Sequence, residues 1–491
     1  YVLAGAPAGG DGTRANPYGT VAEAVAEAGS GTVIALGKGS FDERLFVPAG
    51  VTLWGACVAE TAVAPSGVAI ESGATIEAMG EAVEVRNLRV GGSSPGVLIR
   101  GEGGPSPPPR SLRLRDILIA GVIARAVGVY DRQELVASGL VIRDTRSRPS
   151  DRGLGWGLDV GAGARAEVSR SVFERNREVA VHASDPATSV ELIDVVVRDT
   201  RSSDLNGWFG RGLDVSDGAT VAVTRGAFEA NREVAVLASG VATSGVATSI
   251  VAMDVIVRGT LARDSDGEGG WGFVAQMGAR ANLTRSSFDG NRVGALRASW
   301  DGTVVHLAHL VVRDTQGPST ELSGSGVRAG WGALSADGGA EVTVERAVFE
   351  RNRYLAISAV DAGTDVMLED VVVRDTLEAN CALDDCVGRA AGTGIGSYGG
   401  AHVEATGFSV STSALCGLQL GYGADEDGPS LEGGTMDLHF GEVAYNAICG
   451  VNVQTEGFDI NRLMDHVDYH DNNGMNLDIV LPVPGTSTPL R

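Results

Sequence analysis

The stretch Leu140-Val-Ile-Arg-Asp-Thr145 returns four times along the chain, as Val195-Val-Val-Arg-Asp-Thr200, Val255-Ile-Val-Arg-Gly-Thr260, Leu310-Val-Val-Arg-Asp-Thr315 and Val371-Val-Val-Arg-Asp-Thr376. A second phrase lies between these copies, as Phe173-Glu-Arg-Asn176, Phe228-Glu-Ala-Asn231, Phe288-Asp-Gly-Asn291 and Phe349-Glu-Arg-Asn352. Aligned, both phrases end in one column of Thr and Asn with steps of 24 to 37 residues. Weaker units extend the column through Ser93 and Val122 upstream, and through Ser411, Asn446 and Asn472 downstream. The chain is therefore predicted to be a repeat protein.

The repeat indicates a coil of short strands. A step of about 24 residues leaves no room for a helical crossover, and no amphipathic helix pattern lies between the Val-rich runs. Parallel pairing of each coil with the next satisfies the backbone, which predicts a parallel β-helix. The Thr and Asn column then becomes a ladder of hydrogen-bonded side chains at a bend.

Two columns of alternating charge support this stacking, because opposite charges are favoured between neighbouring strands. One residue past the apolar anchor the column reads Arg143, Glu174, Arg198, Glu229, Arg258, Asp289, Arg313, Glu350 and Arg374. Three residues before it, the column reads Arg170, Asp194, Arg225, Asp254, Arg285, His309, Arg346 and Asp370. The anchors themselves alternate large and medium, as Ile142, Phe173, Val197, Phe228, Val257, Phe288, Val312, Phe349, Val373, Phe408, Val443 and Tyr469.

The chain ends differ from the repeat. Residues 1–60 are predicted to form an N-terminal cap and first coil, with one helix over about 20–28 that begins at a Thr20/Glu23 capping box. Residues 61–480 are predicted to form the β-helix, and 481–491 a tail or linker. Polar insertions follow the ladder Thr in alternate coils, at 146–155, 201–210, 261–270, 316–330 and 377–392. They should emerge on one edge.

Composition and charge argue against a nucleic-acid partner and against a membrane-spanning helix. The 491 residues include 39 Lys and Arg against 62 Asp and Glu, a net charge of −23. Nucleic-acid binding needs a basic face, so this acidity excludes it. No apolar run is long enough to span a membrane as a helix. The first residue is not Met, so we expect a trimmed chain from which any targeting signal is gone.

The N-terminal order of motifs resembles a known fold family. Asp11-Gly-Thr-Arg-Ala-Asn-Pro-Tyr18, a short helix, Gly31-Thr-Val-Ile-Ala-Leu36 and Gly50-Val-Thr-Leu-Trp-Gly55 are similar to the start of right-handed parallel β-helix proteins of the pectin-lyase-like superfold. The Ala, Arg, Gly and Val bias is similar to that of surface proteins of high-GC bacteria. The resemblance implies an all-β, single-stranded right-handed parallel β-helix with a short N-terminal capping helix, and it leaves the activity open.

Tryptophans in the insertions are candidate sugar-binding residues. Trp156, Trp271 and Trp331 share one alignment position, and Trp208 lies nearby. A row of aromatic rings along one edge can stack on sugar rings. Alternatively, each ring packs its own loop onto the coil.

One acidic loop is a candidate calcium site. Asp264, Asp266 and Glu268 place carboxylates at alternate positions around a Gly, as a hard cation needs. The spacing is not that of an EF-hand, and a solvated acidic loop is the alternative.

The densest group of catalytic residue types is His466-Val-Asp-Tyr-His470. With Tyr469 inward, His466, Asp468 and His470 would point outward beside Glu442 of the preceding coil. Such a group can bind a transition metal or transfer protons. The alternative is a polar face near the end of the β-helix. The matching column elsewhere holds valines, so a bend that changes the parity would alter this placement.

The five cysteines predict an oxidising compartment. Cys381 and Cys386 flank Ala-Leu-Asp-Asp in an insertion and suggest a disulfide. Cys416 and Cys449 should stack in adjacent coils, bonded or merely neighbours. Cys57 is left over and is expected to be buried.

The predicted outward column after the ladder argues against catalysis. It reads Asp159, Ala180, Asp214, Ala235, Val274 and Ala295, and two Asp residues two coils apart cannot share a proton. Paired Asp residues with an adjacent His, which pectin hydrolases use, are absent from it. The leading hypothesis is therefore a non-catalytic extracellular or cell-surface scaffold or adhesin that presents its loop edge to a polysaccharide or surface protein. The alternatives are a polysaccharide lyase, hydrolase or epimerase with its site in coils 395–480, and a calcium- or carbohydrate-binding module.

Overall fold

Successive strands that pair in parallel, each with the strand one coil away, wind the chain into a right-handed β-helix. A computed structural model describes residues 1–66, 73–92, 95–101, 109–240, 243–316, 332–378, 392–425 and 428–473. The contacts divide the chain into two units. One comprises Tyr1–Arg232 with Ala242–Val246, and the other Glu233–Val241 with Ala247–Arg491.

The first unit contains one helix and seventeen strands. They are α1 (Val21–Ala26), β1 (Val33–Leu36), β2 (Gly39–Phe41), β3 (Leu45–Val47), β4 (Thr52–Gly55), β5 (Thr61–Val63), β6 (Ile76–Ala78), β7 (Val83–Val90), β8 (Val97–Ile99), β9 (Ser111–Ala120), β10 (Arg125–Val129), β11 (Glu134–Arg143), β12 (Trp156–Val160), β13 (Arg165–Glu174), β14 (Val179–Ala183), β15 (Ser189–Arg198), β16 (Arg211–Ser216) and β17 (Thr220–Glu229). Strands β3, β6, β8, β10, β12, β14 and β16 form the second sheet of this unit, and the others form the first.

The second unit continues the strand numbering. Its strands are β18 (Val234–Ser239), β19 (Ser249–Met253), β20 (Ile256–Arg258), β21 (Trp271–Gln276), β22 (Arg280–Thr284), β23 (Ser287–Asp289), β24 (Gly294–Ser299), β25 (Val304–Ala308), β26 (Val311–Arg313), β27 (Leu334–Asp337), β28 (Glu341–Glu350), β29 (Leu355–Val360), β30 (Asp365–Arg374), β31 (Thr393–Tyr398), β32 (His402–Thr406), β33 (Ser409–Ser411), β34 (Cys416–Asp425), β35 (Gly428–Gly433), β36 (Thr435–Ala444), β37 (Cys449–Val453) and β38 (Asp465–His470). A 3₁₀ helix spans Ile460–Leu463. β34 and β35 pair antiparallel as a hairpin.

A left-handed residue bends each long strand of the first sheet. In β13, Ala166 and Val168 are buried, Arg170 has φ 49°, and Ser171 and Phe173 are buried after it. The whole predicted column, from Arg170 to Asp370, has φ between 49° and 57°. Such φ values are uncommon outside glycine, so the repeated bend is a feature of the fold. The bend resets the alternation of faces, and the valines of the column that begins with Val172 face outward without full cover.

Ion pairs confirm the predicted charge columns within each unit. Glu174 accepts from Arg198 Nη2 at 2.7 Å and lies 3.8 Å from Arg143 Nη1. In the second unit Arg374 Nη2 lies 2.6 Å from Glu350 Oε2. At the bend, Arg225 donates twice to Asp194. Glu174 and Glu350 are largely buried, but the arginine of each pair is about half-exposed, so each pair contributes about 0.2–1 kcal/mol and mainly sets the register.

The ladder is built from Thr–Asn pairs. Thr145 Oγ1 donates to Asn176 Oδ1 at 2.7 Å, and Asn176 Nδ2 donates to the carbonyl of Ile142 at 3.3 Å. The pairs Thr200–Asn231 and Thr260–Asn291 have the same 2.7 Å bond. Downstream, Ser413 rather than the predicted Ser411 faces Asn446. Ser93 lies outside the described residues.

The predicted core column is confirmed except at one coil. Phe173 pairs with Ile142 and Val197, and Phe349 with Val312 and Val373. Val410, however, replaces Phe408 as the partner of Val373 and Val443. A shift of two residues keeps the same face inward, so hydrophobicity alone does not distinguish the two registers. Phe408 instead packs over Gly441, where a Cβ would lie 2.2 Å from the ring.

The N-terminal helix has the predicted cap. Thr20 accepts from the amide of Glu23 at 3.2 Å, and Glu23 accepts from the amide of Thr20 at 3.1 Å. Glu43 accepts from the amides of Val21 and Ala22, which satisfies two more free N–H groups of the first turn. The helix ends at Ala26. The predicted boundary at residue 60 stays a prediction, and 481–491 lies outside the described residues.

None of the helices in the described ranges has the length and apolar character that crossing a membrane requires.

Candidate active site

Asp159, His182 and Asp214 stack in three successive coils of the first unit. The strand register pairs Asp159 with His182, and His182 with Asp214. Their chain neighbours, such as Leu158 and Val160, are fully buried apolar residues. Because alternate residues of a strand face opposite sides, the three polar side chains lie on the outer face of the second sheet.

This column corrects the sequence prediction, which placed Ala180 beside Asp159. The structure pairs Asp159 two residues further on, with His182. Val179, Ala180, Val181 and Ala183 are all buried, so registers two residues apart satisfy the same burial. The prediction that no His lies beside the paired Asp residues is therefore wrong. A signal was present in the sequence, since His182 is the one imidazole in an otherwise apolar run.

Asp159 is the centre of the cluster. Its Oδ1 lies 2.8 Å from His182 Nδ1. Its Oδ2 accepts from Arg125 Nε at 2.5 Å and from the Tyr130 hydroxyl. Asp214 is held separately, since Arg211 Nη1 donates to its Oδ2 at 2.8 Å. Both carboxylates thus have cationic partners, and the imidazole stands between them.

Gly128 makes room for Tyr130. It occupies the Asp159 column one coil earlier, in β10. A Cβ at this position would lie 2.9 Å from Tyr130 Cε2. The missing side chain allows the phenol ring to fold back toward Asp159.

Burial and charge shift the pKa values in this cluster. Asp159 is 3% exposed, and this burial acts to raise its pKa. The hydrogen bond and charge of His182 and the charge of Arg125 together outweigh the effect of burial, so the pKa of Asp159 is lowered. Burial lowers the pKa of His182, and the Asp159 hydrogen bond and the charges of Asp214 and Asp159 raise it above its usual value. Burial and the Asp159 charge raise the pKa of the Tyr130 hydroxyl. At neutral pH the site therefore contains an ionised Asp159 and a neutral Tyr130, beside a His182 whose pKa lies above its usual value.

Trp156 borders the imidazole. Its ring centroid lies 4.5 Å from that of His182, and the Arg125 guanidinium lies 5.4 Å from the same indole. The indole N–H donates to Glu178 Oε2 at 3.1 Å, and Ser203 donates to Glu178 Oε1 at 2.6 Å. Glu178 thus connects the end of the 146–155 insertion with the 201–210 insertion, as expected for insertions that share one edge.

Trp271 and Trp208 do not contribute to the predicted row of rings. Trp271 is 3% exposed and packs with Val234, Leu237 and Val274, so it offers no face to a sugar. Trp208 is half-buried in its own loop, where its carbonyl accepts from the amide of Ser203. Trp331 lies outside the described residues. For Trp271 and Trp208 the alternative of loop packing fits better.

The acidic loop at 264–268 is bound internally by an arginine. Arg263 Nη2 lies 2.7 Å from Asp266 Oδ2 and 3.0 Å from Glu268 Oε2. The same guanidinium lies 2.9 Å from Glu233. Asp264 is exposed. Within the described ranges no group of three His, Cys, Asp or Glu residues could hold a metal ion. The guanidinium occupies the position that calcium was predicted to take.

The predicted cluster around His466 does not converge. His470 Nε2 lies 2.8 Å from Glu442 Oε1, and Asp468 is the register partner of Glu442. His466, however, occupies a bend with φ 56° and contacts Asp465 at 2.7 Å. Hydrogen bonds to Asp471 and Glu442 raise the pKa of His470. These side chains are largely exposed, so the structure favours the alternative of a polar face.

One pair of cysteines is bonded. Cys416 and Cys449 are register partners in β34 and β37 and form a disulfide. Cys381 and Cys386 lie outside the described residues. Cys57 is a free thiol and is half-buried rather than buried.

No protein-family model matches the chain, and no curated protein matches it. Similar solved structures include the periplasmic alginate epimerase AlgG, at 8% identity over 93% of this chain and 83% of that chain, with a TM-score of 0.36. The alginate lyase AlyF-OU02 is 9% identical over 94% of both chains, with a TM-score of 0.37. The mannuronan C-5 epimerase AlgE4 A-module of Azotobacter vinelandii is 12% identical over 95% of this chain and 93% of that chain, with a TM-score of 0.28. Likeness at this level assigns no activity. The strand pairing itself shows that the chain has a right-handed parallel β-helix fold.

Proposed function

We propose that the chain is a polysaccharide-active enzyme that removes a ring proton next to a carboxyl group, as a lyase or an epimerase does. The observation that supports this is the 2.8 Å contact between His182 Nδ1 and the buried Asp159. It orients the imidazole and leaves Nε2 as the ring nitrogen that can exchange a proton with a ligand. The proposal replaces the scaffold hypothesis and places the site at residues 125–214 rather than 395–480.

Each group in the cluster has a role in this chemistry. Neutral His182 accepts the proton from carbon, and the C–H electron pair moves toward the carboxyl group as an enolate. Arg125, whose side chain is 37% exposed, is the cation available to that charge. In elimination, the enolate expels the neighbouring glycosidic oxygen, which takes a proton from the imidazolium that His182 has become. In epimerisation, a proton from water returns to the opposite face of the same carbon. Tyr130 keeps its proton and holds Asp159 ionised through its hydrogen bond.

The geometry fits glycoside hydrolysis less well. Hydrolysis needs one carboxylic acid that keeps its proton and a second carboxylate free to act. Asp159 has a lowered pKa and three donors, and Asp214 is paired with Arg211. Neither carboxyl group is free to act as the acid. Proton transfer by His182 does not require either carboxylate to change its charge.

An activity panel with matched variants tests the proposal. The wild type is incubated with polyuronates and with neutral polysaccharides, and unsaturated ends, reducing ends and uronate configuration are measured. We expect unsaturated ends or altered configuration on a polyuronate, and about 10²-fold or greater loss in His182→Ala. Tyr130→Phe removes one hydrogen-bond donor to Asp159 and should reduce activity less than His182→Ala does.

The exposed His306, in β25 of the second unit, supplies the control. His306→Ala should retain full activity. Reducing ends without unsaturation would show a hydrolase, and activity equal in His182→Ala would contradict the proposal.

The Cys416–Cys449 disulfide supports a proposal on location. Disulfides persist in oxidising compartments, so we propose that the protein acts outside the cytoplasm. Mass spectrometry after alkylation of protein from its native source should find this pair oxidised. Recovery of both thiols in alkylated form would contradict an extracellular location.

A further inference from the structure

In the first unit an arginine follows the ladder residue in four successive coils, at Arg146, Arg177, Arg201 and Arg232, and the first three line one cavity. Arg146, Arg177 and Arg201 each follow a ladder residue, namely Thr145, Asn176 and Thr200. Arg177 and Arg201 form a parallel bridge, and the amide of Arg146 donates to the carbonyl of Val122 in the preceding coil. Neighbouring coils lie about 4.8 Å apart, which brings like charges to strand spacing.

This stacking of like charges differs from the column one residue past the apolar anchor, where Arg143, Glu174 and Arg198 alternate in sign. In the second unit the same position after the ladder holds Leu261, Arg292, Gln316, Arg353 and Leu377, which separates the arginines. Like charges directly opposite each other are destabilising. A bound anion would compensate this cost in the first unit.

A cavity opens beside these arginines. Its volume is about 570 Å³, and Arg146, Arg175, Arg177, Arg201, Asp144 and Asp204 supply all of its charged lining. Four guanidinium groups against two carboxylates give a net charge of 4 − 2 = +2. The chain as a whole carries −23, so the basic cavity contrasts with the rest of the molecule.

Among the residues that the structure describes, no carboxylate forms an ion pair with Arg146 or Arg201, although the charge of Arg201 lowers the pKa of Asp144. Arg175 donates to both oxygens of Asp144, and Arg177 lies 3.0 Å from Asp204. Arg146 donates to the backbone carbonyls of Gly121 and Gly92, at 2.8 and 3.2 Å, which fixes its position without neutralising its charge. The exposed Arg201 guanidinium makes no hydrogen bond or ion pair within the described part of the chain.

We propose that this cavity binds a doubly charged tetrahedral oxyanion, a phosphate or a sulfate, either free or as an ester on a larger molecule. Arginine forks match the oxygens of such groups in bidentate geometry. A dianion balances the net +2 of the lining. The site is separate from the proton-transfer cluster and does not depend on the function proposed for it.

Calorimetric titration with inorganic phosphate and with inorganic sulfate, at constant ionic strength, tests the proposal. We expect saturable binding to the wild type, and about tenfold or greater weakening in Arg201→Gln and Arg146→Gln. Arg280→Gln, a change at an exposed arginine of β22, should bind as the wild type does. A sulfated oligosaccharide forms a parallel arm, because tighter binding than inorganic sulfate would identify an ester as the source.

Absence of saturable binding of both ions, or equal binding by Arg201→Gln, would overturn the proposal. A second measurement does not require binding. Without anion at low salt, Arg201→Gln should unfold at a higher temperature than the wild type, because it relieves like-charge repulsion. The gain should disappear at high salt, where the repulsion is screened. A lower unfolding temperature at low salt would show that the column is not under repulsion.

Discussion

At the scale of single residues, Asp159 determines the chemistry of the candidate site. Burial alone would keep a carboxyl group protonated and an imidazole neutral. Arg125, Tyr130 and His182 all contact Asp159, and together they keep it ionised. The charge of Asp159 then raises the pKa of His182 against the effect of burial. The pair therefore sets the pH at which the imidazole can accept a proton.

We expect NMR titration of His182 to show a pKa above the usual 6.5, and Asp159→Asn to lower it, because burial then acts with less opposition. A His182 titration unchanged by Asp159→Asn would contradict the pairing.

The same shift makes stability depend on pH. The folded-state pKa of His182 is raised, so the stabilisation from its pair with Asp159 is fully present below the unfolded pKa of about 6.5. It is lost as pH rises through the folded value. Urea unfolding between pH 6 and pH 9 should therefore show a decline in the wild type that is smaller in Asp159→Asn. Parallel pH curves for the two proteins would show that the pair does not contribute.

At the scale of the coil, the ladder asparagines hold consecutive turns together. Asn231 is fully buried, accepts from Thr200 Oγ1 at 2.7 Å and donates to the carbonyl of Val197 at 3.0 Å. Its side chain satisfies buried polar groups of the preceding coil that water cannot reach. The ladder thus contributes to stability more than the exposed charge columns do.

Asn231→Ala is expected to reduce the free energy of unfolding by about 2–4 kcal/mol, because it leaves buried polar groups of Thr200 and Val197 without partners. Denaturant titration measures this loss. The exposed Asn282→Ala should change stability by about 0.5 kcal/mol or less. A similar small change at Asn231 would show that the ladder is not a main source of stability.

The coil is also the scale at which prediction from sequence succeeded and failed. The ladder column, with Thr145 and Asn176, and the alternating charge column, with Arg143 and Glu174, were predicted correctly. In both columns the polar side chains bond to each other, and this fixes the register of the coils. The apolar run around His182 has no such marker. A slip of two residues preserves every buried side chain, so the position of the imidazole between Asp159 and Asp214 could not be predicted from hydrophobicity.

At the scale of the whole molecule, the chain contains two compact units with different features. The proton-transfer cluster and the arginine cavity belong to the first unit. The disulfide belongs to the second. The fold class, the capping helix and the strand repeat were predictable, since they depend on periodicity and local motifs. The candidate site depends on which residues face each other across coils, and this is set by the three-dimensional register rather than by periodicity.

Removing the disulfide should affect stability and not activity. Cys416 and Cys449 are 33 residues apart in sequence, so Cys416→Ala with Cys449→Ala should lower the free energy of unfolding by about 3–4 kcal/mol. Urea unfolding measures the change, and a polyuronate assay on the folded variant should match the wild type. An unchanged midpoint would show that the bond does not stabilise the fold.

Loss of the carbon-bound hydrogen next to the carboxyl group of a polyuronate tests the role of His182 most directly. In D₂O, mass spectrometry reads this loss for both reaction types, as deuterium in an epimerised residue or as an unsaturated end. We predict loss with the wild type and with His306→Ala, and about 10²-fold less with His182→Ala. Retention of that hydrogen by the wild type on all polyuronates, or equal loss with His182→Ala, would contradict the account.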